Sequence, residues 1–166
     1  MAAGSTYTPI ATTTLGSNQN EISFSSISGS YTDLVLISSV KVTVGATGLR
    51  FRINDDTGSN YSETTIQGTG SAAGSDRFSS QSFARIAFYG YPDQNNFGAY
   101  ITQFQNYSNT TTYKTLLGRS GNAGSGTSAA VGMWRNTAAI TSITITAVDA
   151  NFASGSTFTI YGIKAE

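Results

Sequence analysis

The sequence predicts an all-β fold, an antiparallel jelly-roll-like β-sandwich of about nine to eleven strands. Across the 166 residues, no apolar stripe with the helical spacing i, i+3, i+4, i+7 extends over about eleven residues. The frequent Ser, Thr and Gly residues are poor helix formers, whereas the recurring Tyr, Phe, Val, Ile and Thr residues favour strands. Short apolar runs alternate with turn-forming clusters, which is typical of sandwiches. The pattern alone leaves other antiparallel sandwiches open.

Five strands are expected in the first half of the chain, at 7–15, 22–24, 32–44, 49–53 and 61–67. Pro9 places the first strand at a sheet edge, because proline cannot donate a ladder hydrogen bond. Residues 34–37 are apolar on both faces, which is typical of a central strand. In the fourth strand, Arg50 and Arg52 lie opposite the apolar face, so both are expected to contact water.

The second half begins with residues 68–82, which are rich in Gly and Ser and have no apolar pattern. They are expected to form the longest loop, a mobile or interacting segment. Six further strands are expected, at 83–91, 99–107, 113–119, 129–136, 143–148 and 158–163. Residues 120–127 are expected to be a hairpin loop. In the last strand Phe158, Ile160 and Gly162 share one face, which predicts that this strand closes the core.

The length indicates a single domain, residues 1–166. A compact fold of this size buries roughly 70% of its unfolded surface and needs no covalent staples. Residues 1–5 are small, polar and unpatterned, so they are a candidate flexible N-terminal arm. The first thirty residues lack a basic segment followed by an apolar run, so no signal peptide is expected. No stretch approaches about eighteen apolar residues, so no membrane partner is expected.

The composition excludes much of the usual catalytic chemistry. The sequence contains no cysteine and no histidine, which removes disulfides, thiolate metal sites and the commonest general base. Histidine-activated Ser and Cys nucleophiles are therefore impossible. Asp55, Asp56 and Glu63 are the carboxylates that a glycosidase pair would require, but we interpret them as solvated side chains. We expect no catalytic residue, no cofactor and no enzymatic activity.

The charge is sparse and balanced, with nine basic and nine acidic residues. A protein that follows a phosphate backbone needs a basic stripe, so direct binding of nucleic acid is not expected. Solubility must instead depend on Ser, Thr, Asn and Gly, a composition common in proteins that work outside cells or pack densely against neighbours.

The segment Asn54-Asp-Asp-Thr-Gly-Ser-Asn60 has the composition of a calcium loop, with oxygen ligands and a glycine for the bend. Asn54, Asp55 and Asp56 are therefore weak candidate metal ligands. The bidentate glutamate that completes such a loop is missing, however, and Asx-Gly clusters between strands usually form turns. We interpret the segment as a turn and predict no metal site.

Aromatic residues are the main candidates for contact with a partner. Tyrosine and tryptophan present an apolar body with a polar tip, which suits subunit packing, protein interfaces and sugar platforms. The residues that we single out as interaction candidates are Tyr7, Pro9, Arg77, Tyr89, Tyr91 and Trp134. Core or subunit packing remains open for the aromatic ones.

The C-terminal segment, Phe152-Ala-Ser-Gly-Ser-Thr-Phe-Thr-Ile-Tyr-Gly-Ile-Lys164, resembles the end of a family of small phage virion proteins. Members of that family end in a similar Phe-x-x-Gly-Ser-x-Phe-Thr-Leu-Tyr-Gly-Ile-Lys motif. Residues 7–15 and 27–36 look like the opening strands of the same family. The resemblance implies a jelly-roll-like sandwich and brings no site chemistry.

The resemblance also implies a function. The chain is expected to be an exterior capsid decoration or cement protein that binds the major capsid protein or other virion proteins. It is expected to form homotrimers and to be located in the virion, which is assembled in the cytoplasm of the bacterial host. The alternative is a tail or head fibre, or a receptor-binding module that recognises a host glycan.

Overall fold

The computed structural model describes residues 6–45, 48–85 and 91–164. These residues form twelve strands and no helix. In chain order the strands are β1 Tyr7–Thr14, β2 Glu21–Phe24, β3 Asp33–Val40, β4 Leu49–Ile53, β5 Tyr61–Gly68, β6 Ala73–Gln81, β7 Ala84–Arg85, β8 Gly98–Gln105, β9 Lys114–Asn122, β10 Gly126–Trp134, β11 Ile143–Ala147 and β12 Thr157–Ile163. Accordingly, no helix in the described ranges is long and apolar enough to cross a membrane.

The strands form two antiparallel sheets. The eight-stranded sheet has the order β1-β12-β3-β8-β9-β10-β5-β6, and the four-stranded sheet has the order β2-β11-β4-β7. Eight of the strands pair as β1 with β12, β2 with β11, β3 with β8, and β4 with β7. This pattern is one long antiparallel hairpin wrapped into two sheets, which is a jelly roll. The predicted all-β sandwich is confirmed.

Two additional hairpins lengthen the larger sheet. They are β5–β6, between β4 and β7, and β9–β10, between β8 and β11; β10 pairs with β5, which joins them side by side. The four-stranded sheet therefore covers only part of the larger one. The inward side chains of β5 still contact the smaller sheet: Tyr61 Oη accepts from Ile53 N at 3.0 Å, and the Glu63 carboxylate accepts from Arg85 N.

The prediction of a long loop at residues 68–82 is wrong. Residues 73–81 form β6, which pairs with β5 from Gly68–Ala73 to Tyr61–Gln81. A tight turn joins the two strands, closed by Thr69 N donating to Ala72 O at 2.9 Å. β6 is an edge strand whose only large apolar side chain is Phe78. Backbone pairing rather than burial defines it, so its sequence carries no apolar alternation.

Other boundaries differ by a few residues. β3 ends at Val40, and beyond it Val42 forms only an isolated bridge with Phe152. Strands β9 and β10 continue through most of the expected loop 120–127, leaving a turn at 123–125. The expected strand 83–91 is β7 over two residues, and residues 86–90 lie outside the described part, as does the candidate arm 1–5.

The core lies between the two sheets. Phe51 from the smaller sheet meets Phe104 from the larger one edge-to-face, with ring centroids 6.4 Å apart. Phe158 and Ile160 of β12 are fully buried, as the alternation of the last strand predicts. The first half of β3 is buried on both faces, including Val35, so the prediction of a central strand is confirmed.

Candidate functional sites

The turn after β4 is a type I′ turn. Asn54 and Asp55 have φ values of 51° and 54°, and Asp56 N donates to Ile53 O at 3.0 Å. The Asn54 side chain bonds a distant segment: its Nδ2 donates to Ala139 O at 2.7 Å. Its Oδ1 accepts from the backbone N–H groups of residues 141 and 142 at 2.8 and 3.0 Å. Asn54 therefore connects this turn to the segment before β11, and the turn prediction is confirmed.

Several hydrogen-bond donors hold the Asp56 carboxylate. Its Oδ2 accepts from Trp134 Nε1 at 2.7 Å and from Asn60 Nδ2 at 2.9 Å, and its Oδ1 accepts from Gly58 N at 2.8 Å. Burial opposes ionisation of this carboxyl, but these hydrogen bonds outweigh it and lower the pKa of Asp56. The third candidate ligand, Asp55, accepts from Thr144 Oγ1 at 3.4 Å. Over the described ranges, no three acidic side chains converge as a metal site would require.

Trp134, one of the interaction candidates, is not on the surface but in the core, the alternative that the sequence left open. Its side chain is 1% exposed, and its ring stacks on Tyr61 with centroids 6.5 Å apart. Trp134 lies on the inward face of β10, where the preceding inward positions are Ala130 and Gly132. Because these inward residues are small, the sequence of β10 contained only weak evidence that this face is buried.

Glu63 is the carboxylate that burial affects most. It is 4% exposed and accepts a hydrogen bond from Arg85 N. Burial raises the pKa of Glu63 to about 7, against the opposing effects of that bond and of the Arg85 charge. Glu63 is therefore not the solvated carboxylate that the sequence analysis expected.

Tyr89 and Tyr91 were also interaction candidates. Tyr91 is half-buried, and its carbonyl accepts from Asn122 Nδ2 at 3.1 Å and from Ser125 Oγ at 3.3 Å. The Tyr91 carbonyl therefore stabilises the turn between β9 and β10. Tyr89 lies outside the described residues.

The remaining candidates, Tyr7, Pro9 and Arg77, all lie on the outer face of the eight-stranded sheet. One cross-strand row runs the full width of this sheet, each residue being the register partner of the next. The row is Pro9, Tyr161, Val35, Gln103, Leu117, Val131, Thr64 and Arg77. Pro9 and Arg77 are its two ends, and β1 is an edge strand as Pro9 predicted. Tyr7 is on the same face, 48% exposed and 6.1 Å from the Tyr161 ring.

This outer face carries exposed apolar side chains among neutral polar ones. Four aliphatic side chains that the sequence analysis did not single out are exposed on it: Ile37 by 42%, Leu117 by 43%, Val131 by 47% and Ile66 by 63%. At the outward positions of the six described inner strands, from β12 to β5, the only charged residues are Asp33 and Arg119. A mostly apolar depression of about 560 Å³ lies beside Ile66 and Ala129. Contiguous exposed apolar surface of this kind marks an interaction site.

A second feature is a cavity of about 320 Å³ on the outer face of the four-stranded sheet. The residues that line it include Asn20, Arg50, Arg52, Phe83, Thr146 and Asp149. The Arg50 guanidinium lies 4.4 Å from the centroid of the Phe83 ring. Burial, together with the charges of Arg85 and Arg52, lowers the pKa of Arg50, while Asp149 opposes this effect. Arg52 is exposed as expected, whereas Arg50 is partly covered by the ring.

A comparison with protein-family models and a comparison with curated proteins find no match for this chain. The two surfaces and the fold are therefore the observations from which a function can be inferred.

Proposed function

We propose that this chain is a structural component of a phage virion, an exterior decoration or cement protein of the capsid. The observation that carries the proposal is the exposed apolar outer face of the eight-stranded sheet, centred on Leu117 and Val131. A protein of this kind acts by binding, so it needs an adhesive surface rather than a catalytic constellation. The capsid surface is the partner that we assign to this face.

The size of the outer face fits this role. Eight strands spaced by about 4.8 Å and roughly 20 Å long present on the order of 700 Å². A stable protein interface buries about 800 Å² on each partner. The depression beside Ile66 offers a pocket into which a partner side chain can anchor, as interface hot spots do. Because the face carries few charges, apolar burial supplies the binding.

The fold and the C-terminal segment support the same proposal. Jelly rolls are the architecture of many viral capsid domains, and also of lectins. The segment that resembles the phage virion family contains β12, which lies between β1 and β3. In this proposal the chain forms homotrimers around a symmetry axis of the shell, through a heterologous interface that closes into a ring.

The direct test is electron cryo-microscopy of the virion that the encoding phage produces. We expect density for this chain on the capsid exterior, with the outer face of its eight-stranded sheet against the shell. Density at the tail, or absence of the chain from purified particles, would contradict the proposal. Light scattering of the isolated protein at micromolar concentration tests the trimer, and a monomer mass would exclude it.

A variant pair tests the surface itself. Replacing Leu117 and Val131 by aspartate places two charges on the apolar row without touching the core, so copy number per particle is expected to fall at least tenfold. The control is Ser59→Asp, an exposed turn position away from this face. Equal incorporation of both variants would show that another surface binds the capsid.

The second candidate is a fibre or receptor-binding module that recognises a host glycan. The cavity on the four-stranded sheet favours it, because an aromatic ring beside Arg, Asn and Asp side chains is the composition of many sugar sites. Binding of the purified chain to host cell-surface glycan, without binding to capsids, would select this function over decoration.

A further inference from the structure

We infer that the cavity on the four-stranded sheet is a site for one small oxyanion, a carboxylate, phosphate or sulfate group, bound by the guanidinium groups of Arg50 and Arg52. The site goes beyond the capsid-binding role and lies on the opposite sheet from the surface that carries it. The inference stands whether or not the chain decorates a capsid.

Strand pairing concentrates positive charge here. Arg50 pairs with Arg85 on one side and with Thr146 on the other, and Arg52 pairs with Thr144. Arg50 and Arg52 are two residues apart on one strand, so their side chains leave the same face about 7 Å apart. Like charges placed this way repel one another. An anion between them would relieve that repulsion.

The two arginines are not neutralised by hydrogen bonds within the protein. In the ranges that the structure describes, neither the Arg50 nor the Arg52 side chain forms a hydrogen bond or an ion pair. Arg50 Nε is buried and unpartnered there. Arginines that are paired within a protein instead have carboxylate or carbonyl oxygens within hydrogen-bond distance of their side-chain nitrogens.

The Phe83 ring contacts two guanidinium groups and fixes their orientation. The guanidinium groups of Arg50 and Arg85 lie 4.4 and 5.1 Å from the centroid of this one ring. Such cation–π contacts orient a guanidinium and cover one of its faces. A ligand must then approach the free Nη edge, whose two parallel donors match the two oxygens of a carboxylate or phosphate.

The surrounding groups limit what can bind. The Thr146 hydroxyl and the Asn20 amide add neutral hydrogen-bonding groups to the cavity wall. Asp149 also lines the cavity, Glu21 pairs with Thr146 on the far side, and Asp55 accepts a bond from Thr144. These carboxylates would repel an extended polyanion. The volume of about 320 Å³ suits a group no larger than a monosaccharide.

Calorimetric titration tests the site with four probes at equal ionic strength: sodium sulfate, inorganic phosphate, glucuronate and glucose, against a sodium chloride background. We expect at least one oxyanion to bind with a 1:1 stoichiometry and glucose not to bind. Preference for glucuronate identifies an acidic sugar as the source of the oxyanion, and preference for phosphate or sulfate identifies a free ion. Heat from none of the oxyanions, or equal binding of glucose, would overturn the inference.

Variants separate the site from general charge effects. Arg52→Gln, at an exposed position, is expected to weaken oxyanion binding at least tenfold and to leave the circular dichroism spectrum unchanged. Arg77→Gln removes the same charge at the edge of the other sheet, and we expect it to leave binding unchanged. If Arg77→Gln weakens binding as much as Arg52→Gln does, the anion is held by net charge and the site does not exist. Thr146→Val, which conserves side-chain volume, is expected to weaken binding several-fold.

Discussion

The indole nitrogen of Trp134 donates a hydrogen bond of 2.7 Å to the Asp56 carboxylate, across 78 residues of sequence. From the sequence, Asp56 was interpreted as a turn residue and only a weak candidate metal ligand, and Trp134 was an interaction candidate for which core packing stayed open. The bond uses one Asp56 oxygen and the only polar atom of the Trp134 side chain. It joins the turn after β4 to the end of β10, and so connects the two sheets.

Trp134→Phe is expected to lower the free energy of unfolding by at least about 2 kcal/mol, because a hydrogen bond to a charged acceptor is lost and the buried indole is replaced by a smaller ring. Urea unfolding at pH 7 measures the change.

The lowered pKa of Asp56 means that its contribution to the free energy of unfolding is present above its unfolded pKa of about 3.9 and is lost as pH falls below it. The variant is therefore expected to lose less stability on acidification than the wild type. Asp55→Asn, at an exposed turn position, is the control and is expected to change neither quantity.

Glu63→Gln is expected to alter the pH dependence of stability near neutrality. The folded pKa of Glu63, about 7 against an ordinary 4.5, means that the folded protein holds this proton more tightly. Its contribution is complete below pH 4.5 and is lost as pH rises towards 7, by on the order of 3 kcal/mol. Glutamine remains neutral and still accepts from Arg85 N, so the variant is expected to lose less stability between pH 5 and pH 8. Thermal unfolding over that range is the measurement. If Glu21→Gln, at an exposed position, reduces the loss of stability between pH 5 and pH 8 equally, the assignment of this pH dependence to Glu63 is wrong.

Gly162→Ala is expected to destabilise the protein by about 1–3 kcal/mol, since a β-carbon there would overlap the ring of Tyr31. Gly162 lies on the inward face of β12, and Tyr31 occupies the space that its missing side chain leaves. Gly16→Ala is the matched control, because a β-carbon at Gly16 meets no atom within 4 Å. Equal melting temperatures for the two variants would show that Tyr31 moves aside freely.

A chain that ends at residue 157 is expected not to fold. β12 pairs with β1 and with β3, so its loss removes two ladders and detaches the edge strand. Phe158 and Ile160 are fully buried, and losing each costs on the order of 2–5 kcal/mol against a typical stability of about 5–15 kcal/mol. Phe158→Ala in the full chain serves as the milder variant. A soluble truncated product with a cooperative melt would show that β12 is dispensable to the core.

Removal of divalent cations with EDTA is expected to leave the melting temperature unchanged within about two degrees. The oxygen atoms of Asn54 and Asp56 already accept hydrogen bonds from the protein, so a cation would have to displace them. A drop of about ten degrees that calcium restores would identify these residues as ligands, since a ligand of the folded state stabilises it by mass action.

A strand could be predicted from the sequence where one of its two faces is buried and the other is exposed. β4 and β12 were identified with their inward residues, because apolar residues recur at alternate positions along each strand. β6 was missed, since both of its faces are largely exposed and its nine residues are nearly all small or polar. For Trp134 the choice between core and interface stayed open, because its inward neighbours, Ala130 and Gly132, are too small to show as an apolar stripe.

The sequence by itself determined the all-β class, most strands and the face that each one buries, because side-chain direction alternates locally along a strand. Strand order and register are long-range properties, and only the tertiary structure decided them. They place Pro9 and Arg77 at opposite ends of one row, join Trp134 to Asp56 and set Arg50 beside Arg85. Each of these pairings depends on which strands become neighbours, which is decided by burying both sheets against one core.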